Sequence, residues 1–220
     1  MSNHKTKNAL RDYSHIPKVV IKRLSKYHSV LEKLDTEGIK NVSSQNLSHE
    51  VHVKASQLRK DLAYFGEFGT RGKGYDVSYL HGVIGDILGL KKEWAVVLAG
   101  LGHLGYALVS YRGLEKKGFK IAGIFESDPK KIGRNVHGMR IYSIDDIGRV
   151  VKDSDVKIGI ITVPVDAAQK VCDAMVDAGI KAILNFAPVI LHPRKPIFVE
   201  IVDISGELSI LSHYLTFHAI

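Results

Sequence analysis

Six residues, Gly100-Leu101-Gly102-His103-Leu104-Gly105, have the spacing G-x-G-x-x-G, and Glu126 follows 21 residues past the last glycine. The apolar run Trp94–Ala99 precedes the glycines, a helical pattern follows them, and Glu126 closes the next apolar run. Strand, glycine loop, helix, strand and acid in that order form a dinucleotide fingerprint. Gly100 allows a tight turn, Gly102 admits a pyrophosphate against the backbone, and Gly105 lets helix and strand approach closely. The helix N-terminus offers unpaired N–H donors and positive potential to the phosphates. Glu126 is placed to accept bonds from the adenosine ribose hydroxyls and to repel a 2′-phosphate, which favours NAD(H) over NADP(H). Asp128 lies close enough to share that role, although Asp-Pro also serves as a plain turn.

Two further loops, Thr162-Val163-Pro164 and Asn185-Phe186-Ala187-Pro188, follow apolar runs, where a doubly wound sheet exposes its carboxyl edge to a ligand. An ordinary strand-ending turn would read the same way. A second kind of chemistry sits upstream, in Ser56-Gln57-Leu58-Arg59-Lys60-Asp61. With Leu58, Leu62 and Phe65 inward, Ser56, Gln57, Arg59 and Lys60 are left on or near the outer side of a helix. Glutamine pairs with adenine in a major groove, and Arg or Lys with guanine or phosphate. Arg71 and Lys73 lie in a glycine-rich stretch, Gly66 to Gly74, that reads as a hairpin or wing able to reach backbone or a narrow minor groove. No metal site is expected. His49 and His52 lack further ligands at suitable spacing, His213 and His218 read as interfacial or exposed, and Cys172 reads as a small buried side chain.

The elements that must position these residues fall into two groups. Residues 1–15 are polar and read as a loose arm. Pro17 opens an amphipathic helix through Val20, Leu24, Tyr27, Leu31 and Leu34, which Gly38 closes. Ser43 or Ser44 caps a short second helix, a third runs from about Lys54 to Phe65, and the wing follows: a winged helix-turn-helix layout. A connecting helix carries Leu80, Val83, Ile84, Ile87 and Leu88 to a boundary at 89–93. Beyond it, strand-like runs at Trp94–Ala99, Ile121–Phe125, Ile158–Thr162, Ala182–Leu184 and Phe198–Val202 alternate with helical patterns at Leu101–Lys117, Ile144–Val151 and Asp166–Ala178. That alternation predicts an α/β, doubly wound parallel sheet. The final helix, about Ser205–His218, is apolar on two faces: Leu208, Leu211 and Leu215 on one, Ile210, Tyr214 and Phe217 on the other. Such a helix needs cover on both, from a partner subunit, a domain seam or a core.

Composition narrows the classes. With 45% hydrophobic and 25% charged residues the chain is an ordinary globular one. A single cysteine excludes a disulfide framework and fits a reducing cytoplasm, and no apolar run approaches the roughly 18 residues of a membrane span. The net charge of +8 is uneven. Residues 1–80 hold 14 Lys+Arg against 8 Asp+Glu, while residues 81–220 hold 17 against 15. A polyanion partner for the first part fits this asymmetry, as does a well-solvated basic surface.

Taken together, Ser56-Gln57-Leu58-Arg59-Lys60-Asp61-Leu62, Tyr64-Phe65-Gly66 and Gly69-Thr70-Arg71-Gly72-Lys73-Gly74-Tyr75 resemble the signature of the Rex redox-sensing transcriptional repressors. Gly100–Gly105, Thr162-Val163-Pro164 and Asn185-Phe186-Ala187-Pro188 match the later part of the same pattern in the same order. The resemblance spans about residues 17 to 218. It implies a winged-helix domain with its linker helix (1–89), a Rossmann NAD(H)-binding domain (90–204) and a C-terminal helix (205–220) exchanged within a homodimer. Such proteins bind an inverted-repeat operator when NADH is scarce and let go when it binds.

By that resemblance Ser56, Gln57, Arg59, Lys60, Arg71 and Lys73 face DNA. Gly100, Leu101, Gly102, His103, Leu104, Gly105 and Glu126 hold the adenosine diphosphate half of the cofactor. Thr162, Val163, Pro164, Asn185, Phe186, Ala187 and Pro188 lie toward the nicotinamide, and Tyr111 and Asp203 are tied to sensing its redox state. The chain departs from the pattern at four places. Glu126 replaces the usual aspartate, Arg112 a common proline and Ile204 a phenylalanine. Ser29 stands where an arginine is expected to pair with the aspartate in the DNA-binding state, so a blunted NADH/NAD⁺ discrimination is one expectation. An NAD-dependent dehydrogenase would need a substrate domain, and only one helix is expected after Phe198–Val202. A domain binding coenzyme A or another nucleotide is the remaining alternative, against which Glu126 argues.

Overall fold

In a computed structural model, the described residues are Tyr13, 15–70 and 72–217; the proposed arm at 1–15 falls mostly outside them, and Arg71 and His218 entirely. The chain divides into two compact units, the first ending at Lys91.

In the first unit α1 (Lys18–Thr36) starts behind Pro17 and buries Val20, Leu24, Tyr27 and Leu31, the spacing that places one residue per turn on one face. Ser43, rather than Ser44, caps α2 (Ser44–Glu50) by accepting a bond from the Asn46 N–H at 3.0 Å. The third helix, α3 (Ala55–Ala63), buries Leu58, Asp61 and Leu62. A three-stranded antiparallel sheet follows, with β3 (Gly74–Asp76) between β1 (Asn41–Val42) and β2 (Gly69–Thr70). The two-residue β1 is not legible in the sequence, because so short a strand has no period to read. From β3 the chain enters α4 (Val77–Ile87), capped by Asp76. Leu24, Leu47, Leu58, Leu80 and Ile84 are fully buried in one core, each contributing about 1.5–3 kcal/mol of transfer free energy.

The second unit holds a seven-stranded sheet. Its strands are β4 (Trp94–Ala99), β5 (Phe119–Glu126), β6 (Asn135–Val136), β7 (Met139–Ser143), β8 (Ile158–Ile161), β9 (Ala182–Asn185) and β10 (Phe198–Ile201), in the order β10-β9-β8-β4-β5-β7-β6. All neighbours are parallel except the edge pair β6–β7. Without β6 this is the doubly wound Rossmann order, whose ligand crevice opens where connections diverge at the carboxyl ends of the central strands. Alternation along β4 feeds both faces: Val96 and Leu98 join one core cluster, Val97 and Ala99 the other. Cys172 is buried in the latter.

Two sequence expectations change. The continuous helix over Leu101–Lys117 is broken into α5 (His103–Ser110) and α6 (Gly113–Lys116), with Tyr111 extended at ψ 98° between them. The strands β6 and β7 add an edge that apolar runs alone do not mark. Further on, α7 (Ile147–Asp153) and α8 (Val165–Asp177) cover one face of the sheet. The last helix, α9 (Ile204–Phe217), has no buried residue; Leu208, Leu211 and Leu215 are 60%, 57% and 68% exposed. No helix among the described residues is long and apolar enough to cross a membrane.

Candidate functional site

A cavity of about 910 Å³ opens over the carboxyl ends of β4, β5 and β8. Gly100, Gly102, Glu126, Thr162, Val163 and Pro164 line it, together with Lys131 and Lys170, and its volume is in the range of small-molecule sites. Gly100 sits at φ +98°, and a Cβ there would lie 2.7 Å from Val163 Cγ1. A Cβ at Gly105 would strike the Gly100 carbonyl oxygen. At Gly102 a Cβ would meet nothing, so the cradle is open there, as a pyrophosphate requires. Gly102 is also the N-cap of α5 and supplies no side-chain cap, so the first backbone N–H groups of the helix remain available for an anion. These features fit a dinucleotide.

The loop is held from two sides. Thr162 Oγ1 donates toward the carbonyls of Ala99 at 3.0 Å and Gly100 at 2.7 Å, so its hydroxyl clasps the glycine turn instead of facing a ligand. On the other side, Glu126 Oε1 accepts from Leu101 N–H at 2.9 Å and Lys131 Nζ at 3.2 Å, and Oε2 accepts from Ser127 N–H at 2.9 Å and Asp128 N–H at 3.1 Å. Burial pushes this carboxyl up, but the backbone donors and Lys131 outweigh it and hold it below its ordinary value. In this arrangement about four acceptor positions on the Glu126 carboxylate are taken within the protein. Lys131 Nζ, which also donates to the Leu101 carbonyl at 3.0 Å, is the one of these donors on a flexible stem.

The remaining expected residues are dispersed. Leu101 is buried in the core, whereas His103 and Leu104 are exposed on the first turn of α5. Asn185 is fully buried, donating to the carbonyls of Ala187 and Val189 and accepting from the Ala187 N–H, all within 3.0 Å. It shapes its loop from inside. Phe186 packs on the core cluster of Val96 and Leu98, Ala187 is buried and Pro188 exposed. Tyr111 lies exposed over Gly113, and Asp203 accepts from the Gly206 N–H at the start of α9. Among the described residues these two share no hydrogen bond. His49 and His52 are exposed, and no group of three His, Cys, Asp or Glu among the described residues is placed to hold a metal.

A second concavity, about 590 Å³, lies in the first unit between α3 and the β2–β3 wing, lined by Ser44, Arg59, Thr70 and Lys73. Arg59 is oriented by a 2.9 Å bond to Ser44 Oγ. Ser56, Lys60 and Lys73 are exposed; Gln57 is half-buried and turned toward Asp61. Composition gives no hint of what fixes α3. The fully buried Asp61 carboxylate takes Arg23 Nε and Nη2 at 2.5 and 2.7 Å, Tyr27 Oη at 2.7 Å and Gln57 Nε2 at 2.8 Å. Burial pushes Asp61 up, and these bonds bring it below the ordinary carboxylate value. The bond to Asp61 raises Arg23, and burial followed by that carboxylate raises Tyr27. Arg23 and Tyr27 lie one turn apart on α1, a clue visible in the sequence only once their partner, 38 and 34 residues on, is known.

The two units also match known proteins separately. A family described as putative DNA-binding protein N-terminus matches residues 15–63, and one described as CoA binding domain matches residues 91–189. Over nearly the whole chain, redox-sensing transcriptional repressor Rex 1 of Thermotoga maritima is 47% identical across 198 residues, 90% of this chain and 94% of its own length. Redox-sensing transcriptional repressor Rex of Desulforamulus reducens is 48% identical across 200 residues, covering 91% and 95%. Among solved structures, RSP in complex with β-NAD⁺ and operator DNA superposes with a TM-score of 0.86 at 37% identity, covering 91% of this chain and 93% of that one. RSP with β-NADH gives 0.84 at 36% identity, covering 92% and 95%. With the glycine cradle, the wing groove and this similarity in hand, the chain belongs to the Rex family of redox-sensing transcriptional repressors.

Proposed function

We propose that this chain is an NADH-responsive repressor that holds an inverted-repeat operator as a homodimer and releases it when NADH enters the Rossmann crevice. The observation that carries the reading is the presence, in one chain, of a basic helix-and-wing groove and an open glycine cradle. That the similar RSP is described with NAD⁺ and operator DNA, and with NADH, supports it. Arg59 and Lys73 line the groove, and with Ser56, Gln57, Lys60 and the wing's Arg71 they make up the DNA-contacting set. Phosphate contacts by Lys and Arg predict steep salt dependence. Two such units would read half-sites roughly 34 Å apart or a multiple of that. The uncovered apolar faces of α9 support exchange of this helix between subunits. A DNA partner and a lone buried thiol fit the cytoplasm.

The cofactor is a ligand and signal, not a reagent. Bound, it supplies a nicotinamide ring that is cationic in NAD⁺ and neutral in NADH. The α5 N–H groups hold its pyrophosphate, Glu126 its ribose once Lys131 yields, and Thr162–Pro164 and Asn185–Pro188 form the wall toward the nicotinamide. Tyr111 and Asp203 report the ring's state. Release needs NADH to bind the DNA-incompetent arrangement more tightly than the competent one, since equal affinity shifts nothing.

The test is fluorescence anisotropy of a labelled inverted-repeat duplex titrated with NADH and, separately, NAD⁺. Selective release by NADH is expected, and indifference to both nucleotides would overturn the reading. A second reading rests on Ser29, whose hydroxyl donates to the Ser25 carbonyl in its own helix at 3.2 Å and supplies no cation for Asp203. On that reading the response to NADH is weak and its discrimination from NAD⁺ blunted. Mass spectrometry of co-purified nucleotide separates both from a coenzyme-A-binding regulator.

A further inference from the structure

The buried ion cluster beneath α3 does more than satisfy its own charges. At 3.6 residues per turn, Ser56, Lys60 and Ala63 form the outer stripe of α3, all exposed. Arg59 turns toward the wing, and Gln57 lies on the flank beside α1. Asp61 accepts only, so the end of the Gln57 amide that faces it at 2.8 Å must be the NH₂. Flipping the amide would set Oε1 against a buried carboxylate, with two acceptors in contact and no proton between them. Asp61 is itself fixed by a two-point contact from Arg23 and by the Tyr27 hydroxyl. The orientation of Gln57 is thus set by a chain of bonds reaching back to α1. Its Oε1 and second Nε2 proton take no partner among the described residues, and the side chain is only partly buried.

We infer that Asp61, held by Arg23 and Tyr27, is a positioning residue that fixes Gln57 to present one acceptor and one donor in a set order to the edge of a base. That order matches adenine, whose major-groove edge offers the N6 donor and the N7 acceptor. This inference rests on the DNA-binding reading above and adds to it which side chain chooses a base and what holds it in register. Arg59, Lys60 and Lys73 then supply attraction that varies less with sequence.

The experiment is selection by the full-length protein from a randomised duplex library, with thermal unfolding measured in parallel. Wild type is expected to select an inverted repeat with adenine at one position of each half-site. In Gln57→Met that single position flattens, with roughly a tenfold loss on the adenine-bearing duplex and little change at other positions. In Gln57→Glu the acid is repelled by Asp61, presents acceptors only, and the same position shifts toward cytosine, whose N4 is a donor. Asp61→Asn, where it folds, blurs the same position as Gln57→Met, because a carboxamide in place of the carboxylate tolerates either orientation of Gln57. Unchanged base preference in Gln57→Met with a lowered melting temperature would overturn the inference, leaving Gln57 as a mere partner of Asp61. A wild type that selects no sequence would overturn the DNA-binding reading and this inference together; selection retained in wild type but unaltered in the variants overturns this inference alone.

Discussion

Asp61 in the first unit and Glu126 in the second are both carboxylates held below their ordinary pKa by four donor contacts, yet the donors differ in kind. Those of Asp61 are side chains from α1 and α3 that converge on a carboxylate with no exposure of its own. Those of Glu126 are three backbone N–H groups and one lysine whose side chain is 39% exposed. A buried carboxylate gripped by side chains of two helices welds those helices together. A carboxylate with one exposed, flexible donor keeps a replaceable position, which is what a ligand site needs.

The largest test of that contrast is Asp61→Leu, which strands Arg23 and removes the acceptor of Tyr27 and Gln57. It should destabilise the first unit by about 3 kcal/mol or more, read from urea unfolding. If the variant were as stable as wild type, the weld would be illusory. Acid should act next. Asp61 is depressed in the folded protein, so its contribution is complete above the unfolded value of about 3.9 and is lost as pH falls through the lower folded value. The stability gap between wild type and Asp61→Asn should therefore be constant from pH 7 to about 5 and close only in stronger acid. A gap that closed near neutrality would point to a different group.

Glu126→Gln comes third. It turns an NH₂ toward donors on one side of the carboxamide and should cost about 1–2 kcal/mol while weakening dinucleotide binding measured by calorimetry. The smallest structural effect belongs to Lys131→Met, within about 0.5 kcal/mol in stability because the pair is partly exposed. Its binding effect should be the informative one: with one of the two acceptor positions on Oε1 freed and the Leu101 N–H still on the other, NADH affinity rises severalfold. A fall in affinity would make Lys131 a direct ligand contact and erase the contrast with Asp61.

These two acids also mark what a single sequence discloses. The fingerprint around Gly100 and the 4-3-4 spacing of α1 were legible because each depends on neighbours within one turn or one strand. Glu126 was legible as a position, because the length of helix and strand fixes it, but its occupancy was not, because Leu101 and Lys131 reach it through the folded loop. The Asp61 cluster was invisible, since Arg23 is 38 residues away and nothing local distinguishes it from other surface arginines. The break at Tyr111 was hidden by a helical pattern that continues across it. Asn185 reads as a ligand contact in the sequence, although its side chain is consumed by its own turn. Local periodicity reports elements; the pairing of polar groups is a property of the closed fold.

If α9, which has no buried residue, is exchanged between subunits as proposed, its folding is coupled to encounter. Completion of the chain becomes second order in protein concentration. Dilution should then melt α9 before either unit, and a newly made subunit must meet another before the 14 residues of that helix find cover. For a repressor of the proposed kind, expression level thereby becomes part of the switch: below the association threshold there is no paired reading head to place on an operator, whatever the nucleotide pool.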